Sequence, residues 1–492
     1  MEVDLSDEIQ EGSGTTSDPY VVRFSPGDTR NPRNFPLRQK WLITSMVTIS
    51  VFAVTMTSSA YSGSSNEIQI EFSISSEVNA LGVALFVLGF AIGPLLWAPL
   101  SELYGRQLLF KTTLGIFTAC VAGSAGANSA AALLTVRFLA GTFGASPLTN
   151  AGGVIADLFS SSQRGLGLAI FSTAPFLGPV LGPMMAGFIS ITIGWRWVQG
   201  TLAIVSGIVW IIGSLLLPET YAPVLLQKRA HRLSVETSKS YISVLEKDQG
   251  HIQTSAVFGK ALRRPCVLLF AEPIVLFISV YMAILYGTLY MMFGAFPIVF
   301  QQQRGWNAGV GGLAFLGVTV GMLMGLAYCI WDNKRYQKLQ QGKYAGGKPP
   351  PEARLPPALI GGCALPVGLL GFAWTTMPEV HWSVSIIMAA PFGFGMVLVF
   401  VSSMNYLLDA YTVYAASVLA ASAILRAFCG AAFPLFTRQM YTELGVQWAS
   451  SIPAFLAAGC IPFPILMYKY GEAIRMKCKY ATEAALVSAQ LE

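Results

Sequence analysis

Charge is scarce in this chain. Only 11% of its 492 residues are charged, whereas 54% are hydrophobic. A soluble domain carries roughly 25% charged residues. With apolar runs of about 20 residues recurring along the chain, this shortage excludes an ordinary soluble protein and points to the bilayer. Histidine is nearly missing: His231, His251 and His381 all lie in loops and share no motif. That excludes a His-box di-iron centre and a bis-His haem within the membrane. No GxxxxGK[ST] phosphate loop occurs, which excludes ATP-driven work by this chain. No Ser–His–Asp set or paired catalytic carboxylates stand out, so an enzyme is not expected. Seven cysteines occur without a CxxC pair, and they read as small packing residues rather than a disulfide framework. There is no Asn-x-Ser/Thr sequon. The acidic start, "MEVDLSDEIQEGSGTTSDPY", lacks the basic and apolar regions of a cleavable signal.

What is present is a series of spans. Hydropathy places twelve, at 41–61, 77–98, 108–126, 130–156, 166–190, 196–217, 267–292, 309–331, 356–376, 383–408, 411–435 and 447–468. Basic residues test that count. With the N-terminus inside, 26 of the 31 Lys and Arg fall in tails and loops on one side. The other side holds only Arg196, Arg304 and Arg438, and Arg137 and Arg426 lie within spans. This bias predicts two cytoplasmic termini.

The expected organisation is a disordered cytoplasmic tail (1–40), a six-helix bundle (41–217), a central cytoplasmic loop (218–265), a second six-helix bundle (266–468) and a cytoplasmic tail (469–492). Two six-span halves around a long loop suit a carrier with its site between the halves. The fold class is all-α integral membrane.

Ionisable groups inside a bilayer are functional hypotheses. Glu272, in "LLFAEPIVLF", is the deepest carboxylate, about seven residues into span seven. A dry environment disfavours a charged carboxylate, so a proton carrier is one reading. A group bonding the broken backbone beside Pro273 is the other. Arg137 and Arg426 are the deep cations, read as partners of a proton site or as fixed ion pairs. Asp157, Asp332 and Asp409 lie near inner span ends. Tyr281, Tyr286, Tyr290 and Phe293 cluster on span seven, with Tyr286 and Tyr290 on one helix face. With Asn405 they are the candidate cavity wall for a flat substrate. Ordinary helix packing is the competing reading.

Three motifs then carry a resemblance. "APLSELYGRQLLF" (98–110) resembles the loop signature of the major facilitator superfamily, Gly-x-Leu-a-Asp-r-x-Gly-Arg-Lys. Leu100, Gly105 and Arg106 match, and Ala98, Glu102 and Gln107 depart. "RFLAGTFGAS", with Arg137, resembles that family's helix-four motif. Gly165, Gly178, Pro179 and Gly182 fit the antiporter spacing Gly-x8-Gly-x3-Gly-Pro-x2-Gly, with Ala174 at the second glycine and Pro183 following. "NPRNFPLRQKW", "PETYAPVLLQKRA" and "YLLDAYTVYAASVLAASAILR" look like the fungal twelve-span drug:proton antiporters.

The resemblance implies two rocking bundles and proton-driven export, and leaves drugs, polyamines, organic acids and secondary metabolites all open as substrates; the few acids within the spans favour a small apolar or aromatic drug, toxin or metabolite. Arg137 is the coupling residue the resemblance implies, and it joins Glu272, Asp157 and Arg426 as the coupling candidates. Glu102, Gly105 and Arg106 would form an inner gate. The glycine–proline motif would line the interface between bundles. No cofactor is implied beyond the proton gradient. The implied partners are substrate, protons and lipid, without nucleic acid, for a monomer in the plasma or vacuolar membrane. Export of organic acids or polyamines, a proton-coupled importer and a non-transporting sensor are the alternatives.

Overall fold

A computed structural model describes residues 12–25, 27–159, 164–249, 254–342, 344 and 349–490. The first eleven residues of the expected tail lie outside them. The first half supplies α1 (Leu37–Gly63), α2 (Ser76–Tyr104), α3 (Arg106–Ala125), α4 (Ala130–Leu158), α5 (Ala174–Ile193) and α6 (Trp195–Leu216). The second supplies α7 (Pro273–Phe296), α8 (Leu316–Gln341), α9 (Pro356–Thr375) and α10 (Ala390–Ala410).

Eleven helical stretches among the described residues are long and apolar enough to cross a membrane, and the last, Ala415–Lys477, has 63 residues. At 1.5 Å per residue that is about 95 Å, far more than the ~30 Å hydrocarbon core. Gly445 resolves the excess: at φ 75° and ψ 163° it breaks the helix. The stretch is therefore two crossings, α11 (415–444) and α12 (446–460, continuing through Pro462–Lys477), which makes twelve.

Gly105 (φ 96°, ψ 159°), Gly194 (φ 90°, ψ 163°) and Gly445 share one backbone shape, each directly before a helix. A side chain is strained at such positive φ. The second and third of these glycines join the fifth and sixth spans of their halves. Each opens a Gly-x-x-Trp step, Gly194 to Trp197 and Gly445 to Trp448. The internal repeat is thus visible at its turns.

Within the first bundle α2 packs on α4, α1 on α5, and α3 on α4 and α6. Within the second, α7 packs on α11, and α10 on α8 and α9. The bundles meet where α2 lies along α11 and α5 lies along the short helix Ala308–Leu313 before α8. Glycine permits the closest crossings. A Cβ on Gly141 would fall 2.0 Å from the Phe86 carbonyl oxygen, and one on Gly430 would meet Tyr286 and Val87. Close backbone approach of this kind suits helix association in lipid.

The N-terminal tail is not wholly unpaired. Tyr20–Val22 forms a parallel strand pair with Tyr241–Ser243 of the central loop. Val22 and Tyr241 bury against Ala230 and Leu233 of helix Ala222–Thr237. Apolar Val21 and Val22 make this pairing favourable. The loops rich in Lys and Arg gather at one end, called here the basic face.

Candidate functional site

Two arginines sit deep in the bundles, with opposite surroundings. Arg137 on α4 is 1% exposed. Its Nε donates to the Gly82 carbonyl at 3.0 Å, Nη1 to Thr57 at 2.9 Å and Nη2 to Ser58 at 2.9 Å. Its guanidinium lies 4.5 Å from the Phe86 ring centroid and 5.1 Å from that of Tyr61. No carboxylate pairs with it among the described residues. The second lone pairs of helix carbonyls hold the charge instead. Gly82 makes room, because a Cβ there would lie 2.2 Å from the Tyr61 ring.

Arg426 on α11 donates no hydrogen bond to any described residue, and its Nη1 is buried without a partner. It faces the Tyr286 ring at 5.3 Å and the Phe400 ring at 4.9 Å. Cation–π contacts contribute roughly 0.5–2 kcal/mol. Burying an unpaired ion costs several kcal/mol. Arg426 is only part-buried and escapes much of that cost, but an ionisable group at this depth that no described protein acceptor holds is a functional candidate.

A short polar series runs between the two arginines. Ser58, whose carbonyl takes Arg137, places its Oγ 2.7 Å from the Tyr290 hydroxyl. Tyr286, one turn earlier on α7, donates to Tyr290 at 3.4 Å. The i, i+4 spacing puts both tyrosines on one face.

Above this series lies a cavity of about 470 Å³ whose walls include Tyr61, Asn79, Tyr290, Phe293, Gln301 and Arg438. It reaches exposed Asn66 on the face opposite the basic one. Among the described residues, Glu67 is the one acid that lines it. Towards the basic face the bundles are shut by apolar contact: Phe176 on α5 meets Phe400 on α10 edge-to-face at 4.5 Å.

Of the five residues expected to line the cavity, Tyr290 and Phe293 do so. Tyr286 lies beneath it, against Arg426. Tyr281 turns into the second bundle, its hydroxyl beside Gly362 of α9. Asn405 sits further towards the basic face and forms no part of the wall. Helical periodicity does not reveal which side of α7 faces the other bundle.

The glycine–proline stretch of α5 also departs from expectation. A Cβ on Gly178 would lie 2.2 Å from Thr55 Oγ1, and one on Gly182 would lie 2.5 Å from the Met56 carbonyl. Both neighbours belong to α1 of the same bundle. Pro183 has no N–H for the Pro179 carbonyl, and Ser59 Oγ donates to that carbonyl at 2.6 Å instead. The stretch reaches the other bundle at its start, through Phe176, and again at its end, where Gly187 abuts Ala308 and Gly312 abuts Met184. Gly165 opens the short helix Arg164–Phe171, and its surroundings lie outside the described residues.

At the basic face, Arg106 Nε lies 3.5 Å from Asp157, and Nη1 bonds Ser101 and Asn150. Its guanidinium rests on the Tyr221 ring. Burial pushes the Tyr221 hydroxyl up to about 12, so that ring stays neutral. The expected Glu102–Arg106 pair does not form, and Glu102 is exposed. The nearby acid is Glu219, just after α6. Its carboxylate accepts from the backbone N–H of Arg106 at 2.9 Å and Gln107 at 3.2 Å. These are orphan donors of the α3 N-terminus, where an anion is favoured. Gly105 is required here, since a Cβ would fall 2.1 Å from Glu219. The acid in "PETYAP" was the available signal for this role.

In the second half, Arg354 pairs with Asp409 at 2.9 Å and Arg475 with Glu352 at 2.9 Å. Every one of these pairs lies within its own half. Among the described residues, no charge pair of this face joins one bundle to the other.

Glu272 does not stand inside a span. Pro273 starts α7, and Glu272 is its N-cap residue at the break from helix Thr254–Ala271. It is fully buried. One carboxylate oxygen accepts from the Tyr411 hydroxyl at 2.8 Å, the other from the Tyr480 backbone N–H at 2.9 Å. It ties the C-terminal helix Lys479–Gln490 to the root of α7.

The sequence matches the Major Facilitator Superfamily over residues 47–434. It is 61% identical over 473 residues to the MFS-type efflux pump MFS2 of Trichophyton rubrum, covering 96% of this chain and 79% of that one. It is 58% identical over 481 residues to the major facilitator-type transporter sorT of Penicillium rubens, covering 97% and 91%. The major facilitator superfamily multidrug transporter mdrA of Aspergillus fumigatus is 58% identical over 473 residues, covering 96% and 78%. Among solved structures, the xylose transporter XylE from E. coli in a partially occluded inward open conformation aligns with TM-score 0.62 at 16% identity, over 88% of this chain and 98% of that one. That likeness concerns the fold. Twelve crossings in two bundles, a cavity between them and these relatives lead to one conclusion: the chain belongs to the Major Facilitator Superfamily and is a multi-pass membrane efflux transporter, not an enzyme.

Proposed function

We propose that the protein is a proton-coupled exporter of small aromatic compounds, neutral or weakly acidic, in the plasma membrane. The observation that carries the substrate reading is the cavity. Its volume of about 470 Å³ falls within the range of small-molecule sites. Tyr61, Tyr290 and Phe293 offer flat apolar faces, and its one carboxylate, Glu67, belongs to the helix Ser65–Glu71 beyond α1. A polycation would want several acids there. Relatives named as efflux and multidrug transporters support the same class.

The basic loops and both termini face the cytoplasm in this reading, following the excess of Lys and Arg on that side. The cavity then opens outward, and the conformer is the one that releases substrate. The protein works as a monomer in lipid, with the proton gradient as its energy source and no other cofactor.

Asp157 is the proposed proton site. A proton there ends its pairing with Arg106 and loosens the seam between α2, α3 and α4 at the cytoplasmic side. Arg137 holds α1 and α2 together through the cycle and fixes Ser58 for Tyr290. The test uses purified protein in liposomes, a fluorescent aromatic dye and an imposed pH gradient. Dye should move against its gradient only when protons flow the other way, and Asp157→Asn should uncouple the two. Equal dye flux with and without the pH gradient would falsify the coupling.

A further inference from the structure

We propose that Arg426 binds an anionic group, a carboxylate or similar oxyanion, on an aromatic substrate, in a site between α7, α10 and α11. This rests on the export reading above and adds a charge preference to it.

The two deep arginines differ in one respect that matters. Arg137 spends three donors on the carbonyls of Gly82, Thr57 and Ser58. Arg426 spends none, and its Nη1 is buried unpartnered. Its electrostatic neighbours among the described residues are the hydroxyls of Tyr286 and Tyr290, with no acid among them. A guanidinium is a planar fork that matches a carboxylate through two parallel bonds. Here the fork has aromatic rings on its flanks, Tyr286 at 5.3 Å and Phe400 at 4.9 Å. That combination suits a flat ring bearing one negative group.

The cover over this site is a contact between bundles. Phe400, which shields Arg426, packs on Phe176 of α5 in the other half. Parting the bundles at the basic face separates these two rings and exposes the guanidinium on that side. On return, Phe400 covers it again. The site is thus loaded from the basic face, and the cavity beyond Tyr290 leads away from it.

The probes are 2-naphthoate and 2-naphthamide, which share a shape and differ in charge. Their binding to the purified wild-type protein is read by calorimetry. Naphthoate should bind roughly ten-fold or more tightly than the amide, as a charge-assisted bond gives. Arg426→Gln should abolish the preference and Arg426→Lys should keep part of it. Naphthoate binding that is absent, or no tighter than that of the amide, overturns the proposal on the wild type alone, whatever the variants do. So does a preference that persists in Arg426→Gln. Export is read separately, as flux of a neutral aromatic dye through wild-type protein in liposomes. Loss of that flux counts against the export reading, and equal probe binding with intact flux counts against the anion site only.

Discussion

The hydroxyls of Ser58 and Tyr290 meet at 2.7 Å, one from each bundle. They join α1 to α7 beneath the cavity, so parting the two bundles there would break this bond. A hydrogen bond contributes about 1 kcal/mol, which is roughly five-fold in population. Tyr290→Phe should therefore shift the protein away from the conformer described here. Ser62→Cys on the cavity wall, in a background with Cys266 and Cys363 replaced by Ser, should react more slowly, by up to about five-fold, with a polar thiol reagent. An unchanged rate would mean the bond does not bias the equilibrium.

Gly182 and Gly152 separate two uses of glycine. A Cβ on Gly182 meets the Met56 backbone carbonyl at 2.5 Å, whereas one on Gly152 meets nothing within 4 Å. Gly182→Ala should cost about 1–3 kcal/mol through overpacking. Gly152→Ala should be neutral or stabilise by up to about 1 kcal/mol through helix propensity. Thermal unfolding in detergent compares the pair, and equal melting temperatures would refute the close approach of α1 and α5.

Glu219, not Glu102, is the acid that matters at the start of α3. Glu219→Ala leaves the N–H groups of Arg106, Gln107, Thr220 and Tyr221 without their acceptor. The expected loss is about 1.5–3 kcal/mol for bonds to a charged group. Glu102→Ala should stay within about 0.5 kcal/mol, as an exposed change does. A larger effect at Glu102 than at Glu219 would reverse the assignment.

Glu272→Gln tests a carboxylate placed outside the cavity. A glutamine has one acceptor oxygen for the two donors Tyr411 and Tyr480, and its NH₂ then faces a donor. Helix Lys479–Gln490 should exchange its amide hydrogens faster. Proton-driven efflux should stay within about two-fold, because positioning rather than proton transfer is altered. Loss of coupling with unchanged exchange would restore the proton-carrier role.

Acid should loosen the contact at the mouth of α6. Glu71 accepts from Trp195 Nε1 at 2.6 Å and pairs with Arg196. The Trp195 bond and then the Arg196 guanidinium hold its carboxyl below the ordinary 4.5. A carboxyl lowered in the folded state supports the fold above its ordinary value, and that support fades as pH falls through the lowered one. Hydrogen exchange of Ser65–Glu71 should rise relative to intrinsic rates when the pH drops below that range. Glu71→Gln should remove the pH dependence, and an equal response in both proteins would exclude Glu71 as its cause.

The membrane fold was legible because hydropathy and basic residues act locally. Errors came where one residue changed the frame. Span seven was expected at 267–292, but Pro273 cannot continue the preceding helix hydrogen bonds, so α7 begins there and leaves Glu272 outside. Arg137 was readable as a deep cation, but its carbonyl partners were not, since every residue offers a carbonyl. The repeat between halves was hidden in the spans and surfaced at Gly194 and Gly445, where backbone geometry leaves one residue type.

Composition, span spacing and the glycine–proline and arginine motifs were sufficient for the class, the twelve crossings and the family. Those properties depend on residues close together in the chain. The partners depended on folding. Ser58 and Tyr290 are 232 residues apart, and Ser59 meets the Pro179 carbonyl 120 residues away. Which glycine touches its own bundle, which arginine is satisfied and which is left free follow from how helices turn and pack. Helical periodicity alone leaves that rotation open, and close packing selects one answer.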